Sequence, residues 1–206
     1  MKLNHRFSND LNLIETEQIF CNEKIHLQSK ILIIGTFNPD DDSYDGNNAA
    51  TWFYGRKANH FWKYLPMNLT NINLVDSNVD TWKLYCVKNR IVIVDLIKSI
   101  RDVEILQNFK DKSLSERIQN DMKNVDIFNF EAAFKNITFD KVIYTRKGWD
   151  EKKNKDIPNL IQIKNSVNEI LIKNKIVENT SNIYYCPAPW TKRKSTGIEW
   201  SEIVKK

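Results

Sequence analysis

The chain is expected to adopt an α/β fold, three layers in the order α/β/α around a central, mainly parallel four-stranded sheet. Three observations predict it. Short apolar runs occur without polar alternation, as suits strands buried on both faces. Between these runs the apolar spacing turns helical, so strand and helix alternate along the chain. No internal repeat or low-complexity linker divides the 206 residues. They are read as a single domain over 1–206, with 1–29 an N-terminal extension packing on it.

The first strand is Lys30-Ile31-Leu32-Ile33-Ile34, opened by a charge and closed by Gly35. After it, Asp40-Asp41-Asp42-Ser43-Tyr44-Asp45-Gly46-Asn47-Asn48 is acidic and turn-prone, and is read as a mobile loop. Phe61, Trp62 and Leu65 form an i, i+1, i+4 stripe, a helix expected to stop at Pro66. Arg90-Ile91-Val92-Ile93-Val94-Asp95-Leu96 repeats the first strand's pattern, with Asp95 at its end. Leu114, Ile118, Met122 and Val125 fall at i, i+4, i+8 and i+11, the spacing of one continuous helix. Phe139–Thr145 is the third strand, Val167, Ile170 and Leu171 mark a further helix, and Asn182–Pro187 is the fourth strand. Ligands of open parallel sheets bind beyond the carboxyl ends of the strands. That rule puts Gly35–Asp42, Asp95–Ser99, Thr145–Trp149 and Cys186–Lys194 on one rim, as four loops that build a site together.

Composition narrows the chemistry. Thirty-one Lys+Arg against 26 Asp+Glu give a net charge of +5, which tilts the partner question toward polyanions. No window approaches eighteen uninterrupted apolar residues, and the first residues lack an apolar signal core, so no membrane partner and a cytoplasmic location are expected. Cys21, Cys86 and Cys186 lie far apart, and His5, His26 and His60 have no paired spacing. Free thiols, no metal and no cofactor are therefore expected.

Three constellations stand out. Gly35-Thr36-Phe37-Asn38-Pro39 is no phosphate cradle, since the chain has neither GxGxxG nor GxxxxGK[ST]. Gly35 suits a tight turn or close approach of a ligand, and Asn38-Pro39 equally suits a plain turn. Phe53-Tyr54-Gly55-Arg56-Lys57-Ala58-Asn59-His60-Phe61-Trp62 gathers aromatics, cations and an amide. Asn59 also reads as a helix N-cap worth roughly 1 kcal/mol, His60 as a first-turn residue, and Phe53 and Tyr54 as core aromatics. In the third, a strand ends in Cys186-Pro187-Ala188-Pro189, which presents Trp190 and then Lys192-Arg193-Lys194. A rigid loop with an apolar wedge and adjacent cations could enter between bases while holding phosphates; a solvated basic turn with Trp190 on the core is the plain alternative.

Together these segments, from about residue 30 to 195, resemble the uracil-DNA glycosylase superfamily, nearest its mismatch-specific uracil/thymine and hypoxanthine branches. The likeness rests on Ile31–Phe37, on Phe53–Trp62 as the aromatic-glycine…Asn-Arg-Phe-Trp signature, on Ile93-Val94-Asp95-Leu96, on Phe130-Glu131 with Val142-Ile143-Tyr144, and on Pro187-Ala188-Pro189. The resemblance implies a metal-free monofunctional hydrolase that flips a deaminated or mismatched base, uracil or hypoxanthine, from DNA and cleaves its N-glycosidic bond. It implies Asn59 as first catalytic candidate and Asn38 as second; Asp95 is a candidate for activating water, or a cap of the following helix. Gly35, Thr36, Phe37, Phe53 and Tyr54 would hold the base. Arg56, Lys57, His60, Pro187, Pro189, Trp190, Lys192, Arg193 and Lys194 would hold DNA. The expected partner is DNA carrying the damaged base, and a monomer is expected.

The chain also departs from the family's pattern. Phe37 stands where the mismatch-specific branch has its catalytic Asn, Cys186 precedes Pro187 where relatives carry His or Asn, and Thr145-Arg146-Lys147 follows the third strand where an Asn is common. Two other readings therefore stand beside the first: a catalytically silent DNA- or nucleotide-binding member of the same fold, and a small-nucleoside or acidic-metabolite α/β enzyme holding magnesium on Asp40-Asp41-Asp42.

Overall fold

The computed structural model describes residues 2–40, 50–56, 59–102, 111–120, 122–147, 157–189 and 194–205. In chain order its elements are β1 (Lys2–Asn4), α1 (Ser8–Glu17), β2 (Ile19–Phe20), β3 (Glu23–Lys24), β4 (Gln28–Gly35), α2 (Phe61–Thr70), α3 (Val79–Asn89), β5 (Ile91–Asp95) and β6 (Ile97–Arg101). They continue with α4 (Asp111–Asn120), β7 (Val125–Ile127), α5 (Phe130–Ala133), β8 (Thr138–Tyr144), α6 (Pro158–Lys173), β9 (Ile183–Tyr185) and α7 (Lys194–Lys205).

The centre is an all-parallel sheet of four strands in the order β5-β4-β8-β9, flanked by helices. Ile31–Ile34 on β4 and Ile91–Val94 on β5 are buried throughout, which is why neither strand alternates in sequence. Register brings the strand ends level: Gly35 lies beside Asp95, and Tyr144 lies between Ile34 and Tyr185. The predicted fold class and its four strands are as observed.

Three expectations need correction. The helix over Phe61, Trp62 and Leu65 does not stop at Pro66 but continues to Thr70. A proline inside a helix leaves the carbonyl four residues earlier without its N–H partner; here that carbonyl, on Trp62, accepts the Leu74 N–H at 2.9 Å, which removes the penalty of an orphaned acceptor. The helix over Leu114 and Ile118 ends at Asn120, and Val125 instead opens β7, paired with Ile100. One apolar spacing thus runs across two elements. Finally, Asp95–Ser99 is not a loop: after Leu96 the chain enters β6 at Ile97, in a second, antiparallel sheet of order β1-β6-β7. The switch between sheets is fixed by Leu96 N–H to Gly35 O and Ile97 N–H to Thr36 O, both 3.0 Å. Residues Asp41–Asn48 of the acidic loop lie outside the described residues.

An aromatic column supports the rim. Phe20 stacks on Trp52, Trp52 on Trp62 and Trp62 on Trp82, with centroids 5.8, 5.7 and 5.1 Å apart. Trp62 is 1% exposed and its indole N–H donates to the Phe53 carbonyl at 3.0 Å, so it ties α2 to the segment before it. Trp62→Ala should lower the unfolding free energy by about 3–5 kcal/mol, read from urea denaturation. No helix among the described residues is long and apolar enough to cross a membrane.

Candidate active site

Four segments meet at the carboxyl ends of the parallel strands, beginning with Gly35. A Cβ there would sit 2.0 Å from Asp95 Oδ1 and 2.8 Å from the Tyr54 hydroxyl, so only glycine lets these two polar atoms converge over the end of β4. Asp95 is held from the other side: His5 Nε2 lies 2.7 Å from Asp95 Oδ2. The Asp95 side chain is 9% exposed, and its Oδ1 has no hydrogen-bond partner among the described residues.

Tyr54 occupies the left-handed region at φ 58°, a conformation that costs a bulky residue of order 1 kcal/mol. Its neighbours hold it there. The ring stacks on Phe61 at 4.2 Å and the hydroxyl bonds the Thr145 hydroxyl at 2.9 Å. Burial pushes the Tyr54 phenol well above its usual range, with Asp95 adding to the effect, so it remains a protonated hydroxyl. Gly55 is required next to it, because a Cβ there would meet the Trp82 ring at 2.8 Å.

The two candidate amides have one feature in common. Asn38 Oδ1 accepts from Arg56 Nη2 at 3.0 Å, and Asn59 Oδ1 accepts the Phe61 N–H at 2.8 Å in the first turn of α2. Each amide oxygen is committed, and among the described residues the NH₂ groups of Asn38 and Asn59 have no hydrogen-bond partner. Arg56 also holds Asn59 by its backbone, the Asn59 N–H donating to Arg56 O at 2.9 Å. Neither plain reading holds as expected: the N-cap of α2 is His60, which is therefore not a first-turn residue, and Asn59 stands one position before the cap, serving the helix start only through the Phe61 N–H bond to its Oδ1.

The remaining candidates fall into three groups. Thr36 and Phe37 are half-buried at the rim, and the Phe37 ring meets the His5 ring edge-on at 5.8 Å. Phe53 is 1% exposed, packed on Phe7 at 4.8 Å and close to His5. It supports the site from the core, and Phe37 and Tyr54 are the aromatics at the rim. Pro187 and Pro189 act through their carbonyls: Trp200 Nε1 donates to Pro187 O at 3.0 Å and the His60 N–H to Pro189 O at 2.8 Å. That second bond joins the start of α2 to the turn after β9, while the His60 ring tilts against Tyr64. Lys57, Trp190, Lys192, Arg193 and the Lys194 side chain lie outside the described residues. Arg146 and Lys147 form ion pairs with Asp111 and Glu199. Burial pushes the Cys186 thiol up, which makes it a poor nucleophile.

Two partners in this arrangement have no local sequence signal: His5, which is 90 residues from Asp95, and Thr145, which is 91 from Tyr54. Among the described residues no group of His, Cys, Asp and Glu could hold a metal ion.

No protein-family profile matches the chain, and no curated protein matches it in sequence. Its structure matches the solution NMR structure of a "putative uracil DNA glycosylase" from Methanosarcina acetivorans, with a TM-score of 0.50 over 88% of this chain and 92% of that one. The two chains share a fold. Their sequences are 15% identical, so the likeness is one of architecture, and the chemistry has to be argued from the residues at the rim.

Proposed function

We propose that this protein is a DNA glycosylase-like hydrolase that removes a deaminated or mismatched base, uracil or hypoxanthine, flipped from DNA. What supports the reading is a set of hydrogen-bonding capacities left open in the segments at and beside the strand ends: two amide NH₂ donors, on Asn38 and Asn59, and one acceptor, Asp95 Oδ1, next to Gly35. Uracil and hypoxanthine both present a ring N–H beside a carbonyl. The amides suit the carbonyl and the carboxylate suits the N–H. Cytosine and adenine place a ring-nitrogen acceptor at that edge, which a carboxylate repels.

In the proposed reaction the glycosidic electron pair leaves with the base, positive charge develops on the sugar, water adds at C1′, and the proton that the water releases neutralises the departing base anion. An amide N–H aimed at the base carbonyl stabilises the negative charge as it forms. Asn59 is the first candidate for that role because its oxygen is anchored and its nitrogen is not. Asn38, steadied by Arg56, is the second. Asp95, 9% exposed and on the floor, is better placed to accept from the base than to activate bulk water. Phe37 and Tyr54 offset part of the few kcal/mol needed to unstack the base. Arg56, Lys57, Lys192 and Arg193 are proposed to supply phosphate attraction, and His60, Pro187, Pro189, Trp190 and Lys194 are the further proposed DNA contacts.

Labelled oligonucleotides carrying uracil, hypoxanthine, xanthine or a mismatched thymine test the reading, each incubated with the protein and then treated with alkali. Cleavage at uracil or hypoxanthine is expected, with binding that weakens as salt rises. Salt-sensitive binding with no cleavage across the set would instead assign the chain to the silent DNA-binding reading.

A further inference from the structure

We infer that His5 is a positioning residue for Asp95, so that the N-terminal strand is a working part of the site. The inference rests on the function proposed above. His5 is fully buried, and both ring nitrogens are committed. The Phe7 N–H donates to Nδ1 at 3.0 Å, so Nδ1 carries no proton; the hydrogen is on Nε2, which donates to Asp95 Oδ2 at 2.7 Å. The rings of Phe7, Phe37 and Phe53 stand 5.6, 5.8 and 5.8 Å from the imidazole and close off the space into which it could turn.

The segment of β1 and His5, which directly follows it, is fastened on both sides. β1 pairs with β6, Leu3 opposite Ile100, and the His5 N–H donates to Lys98 O at 2.7 Å. On the other side the Arg6 N–H donates to Asn38 O at 2.8 Å, the Asp40 N–H donates to Asn4 O at 3.0 Å, and His5 bridges Pro39. β1 therefore lies between β6 and the loop that carries Phe37 and Asn38.

A terminal carboxylate torsion is broad and roughly two-fold. A hydrogen bond to one oxygen from a ring that cannot move selects one orientation and directs the other oxygen over Gly35. A largely buried carboxylate oxygen is satisfied by protein or by water, and an oxygen with no protein donor is the one a ligand can reach. Asp95 has one satisfied and one kept open. This division follows from His5.

The test compares His5→Phe, which keeps a ring but has no donor, with His5→Gln, whose amide can still donate to Asp95. Single-turnover excision from a uracil or hypoxanthine duplex should fall at least about tenfold in His5→Phe, as misplacing a site group does. It should stay within about threefold of the parent in His5→Gln, with DNA affinity unchanged in both. Adding His5→Phe to Asp95→Ala should bring no further loss. Equal loss in the Phe and Gln variants, multiplicative losses with Asp95→Ala, or full activity of His5→Phe would each overturn the inference. A ¹⁵N spectrum of the parent and of Asp95→Ala needs no activity and covers variants that fail to fold. The parent should show His5 protonated on Nε2, with a slowly exchanging proton whose protection is lost on removing Asp95. The opposite tautomer, or a proton unaffected by that change, would overturn the inference. A parent that excises no base would remove the glycosylase reading and leave His5 to be decided by this spectrum.

Discussion

Gly35→Ala is expected to lower base excision by at least about a hundredfold and to destabilise the fold by ~1–3 kcal/mol. The added methyl would lie 2.0 Å from Asp95 Oδ1 and 3.1 Å from its Cγ, inside any allowed contact. Asp95 cannot retreat easily, because His5 holds Oδ2 and Gly35 and Asp95 are neighbours in parallel register. The Tyr54 hydroxyl, 2.8 Å from the same point, would also have to leave Thr145. At about 2–4 °C per kcal/mol for a chain of this size, the melting temperature should fall by several degrees. In an Asp95→Ala background the clash with the carboxylate is gone. There Gly35→Ala should cost less stability than in the parent, only the contact with the Tyr54 hydroxyl remaining, while excision stays lost. A full stability penalty in both backgrounds would show that Asp95 is not what makes Gly35 necessary.

The second large effect is at Asn59, where two substitutions separate its hydrogen bond to the helix start from chemistry. Asn59→Ala removes both the Oδ1 acceptor for the Phe61 N–H and the NH₂ donor, so it should cost about 1 kcal/mol of stability and at least tenfold in single-turnover excision. Asn59→Asp keeps an oxygen for the helix start and loses only the donor. It should keep the parent's melting temperature and lose excision at least as severely, because a carboxylate opposes charge developing on the base. Unimpaired excision in the Asp variant would take Asn59 out of the proposed mechanism.

Much of the architecture was legible along the chain because its strands are buried on both faces. Ile31–Ile34 and Ile91–Val94 could hardly be anything but central strands, and their ends place the rim. The elements whose sequence pattern misleads are those in which backbone groups find distant partners. Pro66 looks like a helix stop until the Leu74 N–H satisfies Trp62 O. Val125 continues a helical spacing but is drawn into pairing with Ile100. Ile97–Arg101 reads as the run after a strand, and becomes a strand itself because β1 and β7 flank it. The helices α1 and α3 bury few residues, Leu11 and Ile14 in the first and Trp82, Tyr85 and Cys86 in the second, so their apolar stripes are thin.

The candidate site divides in a similar way. Gly35, Asn38, Tyr54, Arg56, Asn59 and Asp95 are visible because each belongs to a local cluster or a strand end, and residue types a few positions apart share a neighbourhood whatever the fold does. Their remaining capacities are not visible: that the side-chain oxygens of Asn38 and Asn59 are already taken, which oxygen of Asp95 is left open, and that Phe53 turns inward while Phe37 stays at the rim. His5 is the extreme case, an unremarkable residue near the start of the chain that becomes Asp95's partner. Composition and periodicity are enough to specify buried strands, because burial of apolar surface acts on residue type alone. Orientation of a hydrogen bond depends on atoms brought within 3 Å from about 90 residues away, and only the folded chain brings them there.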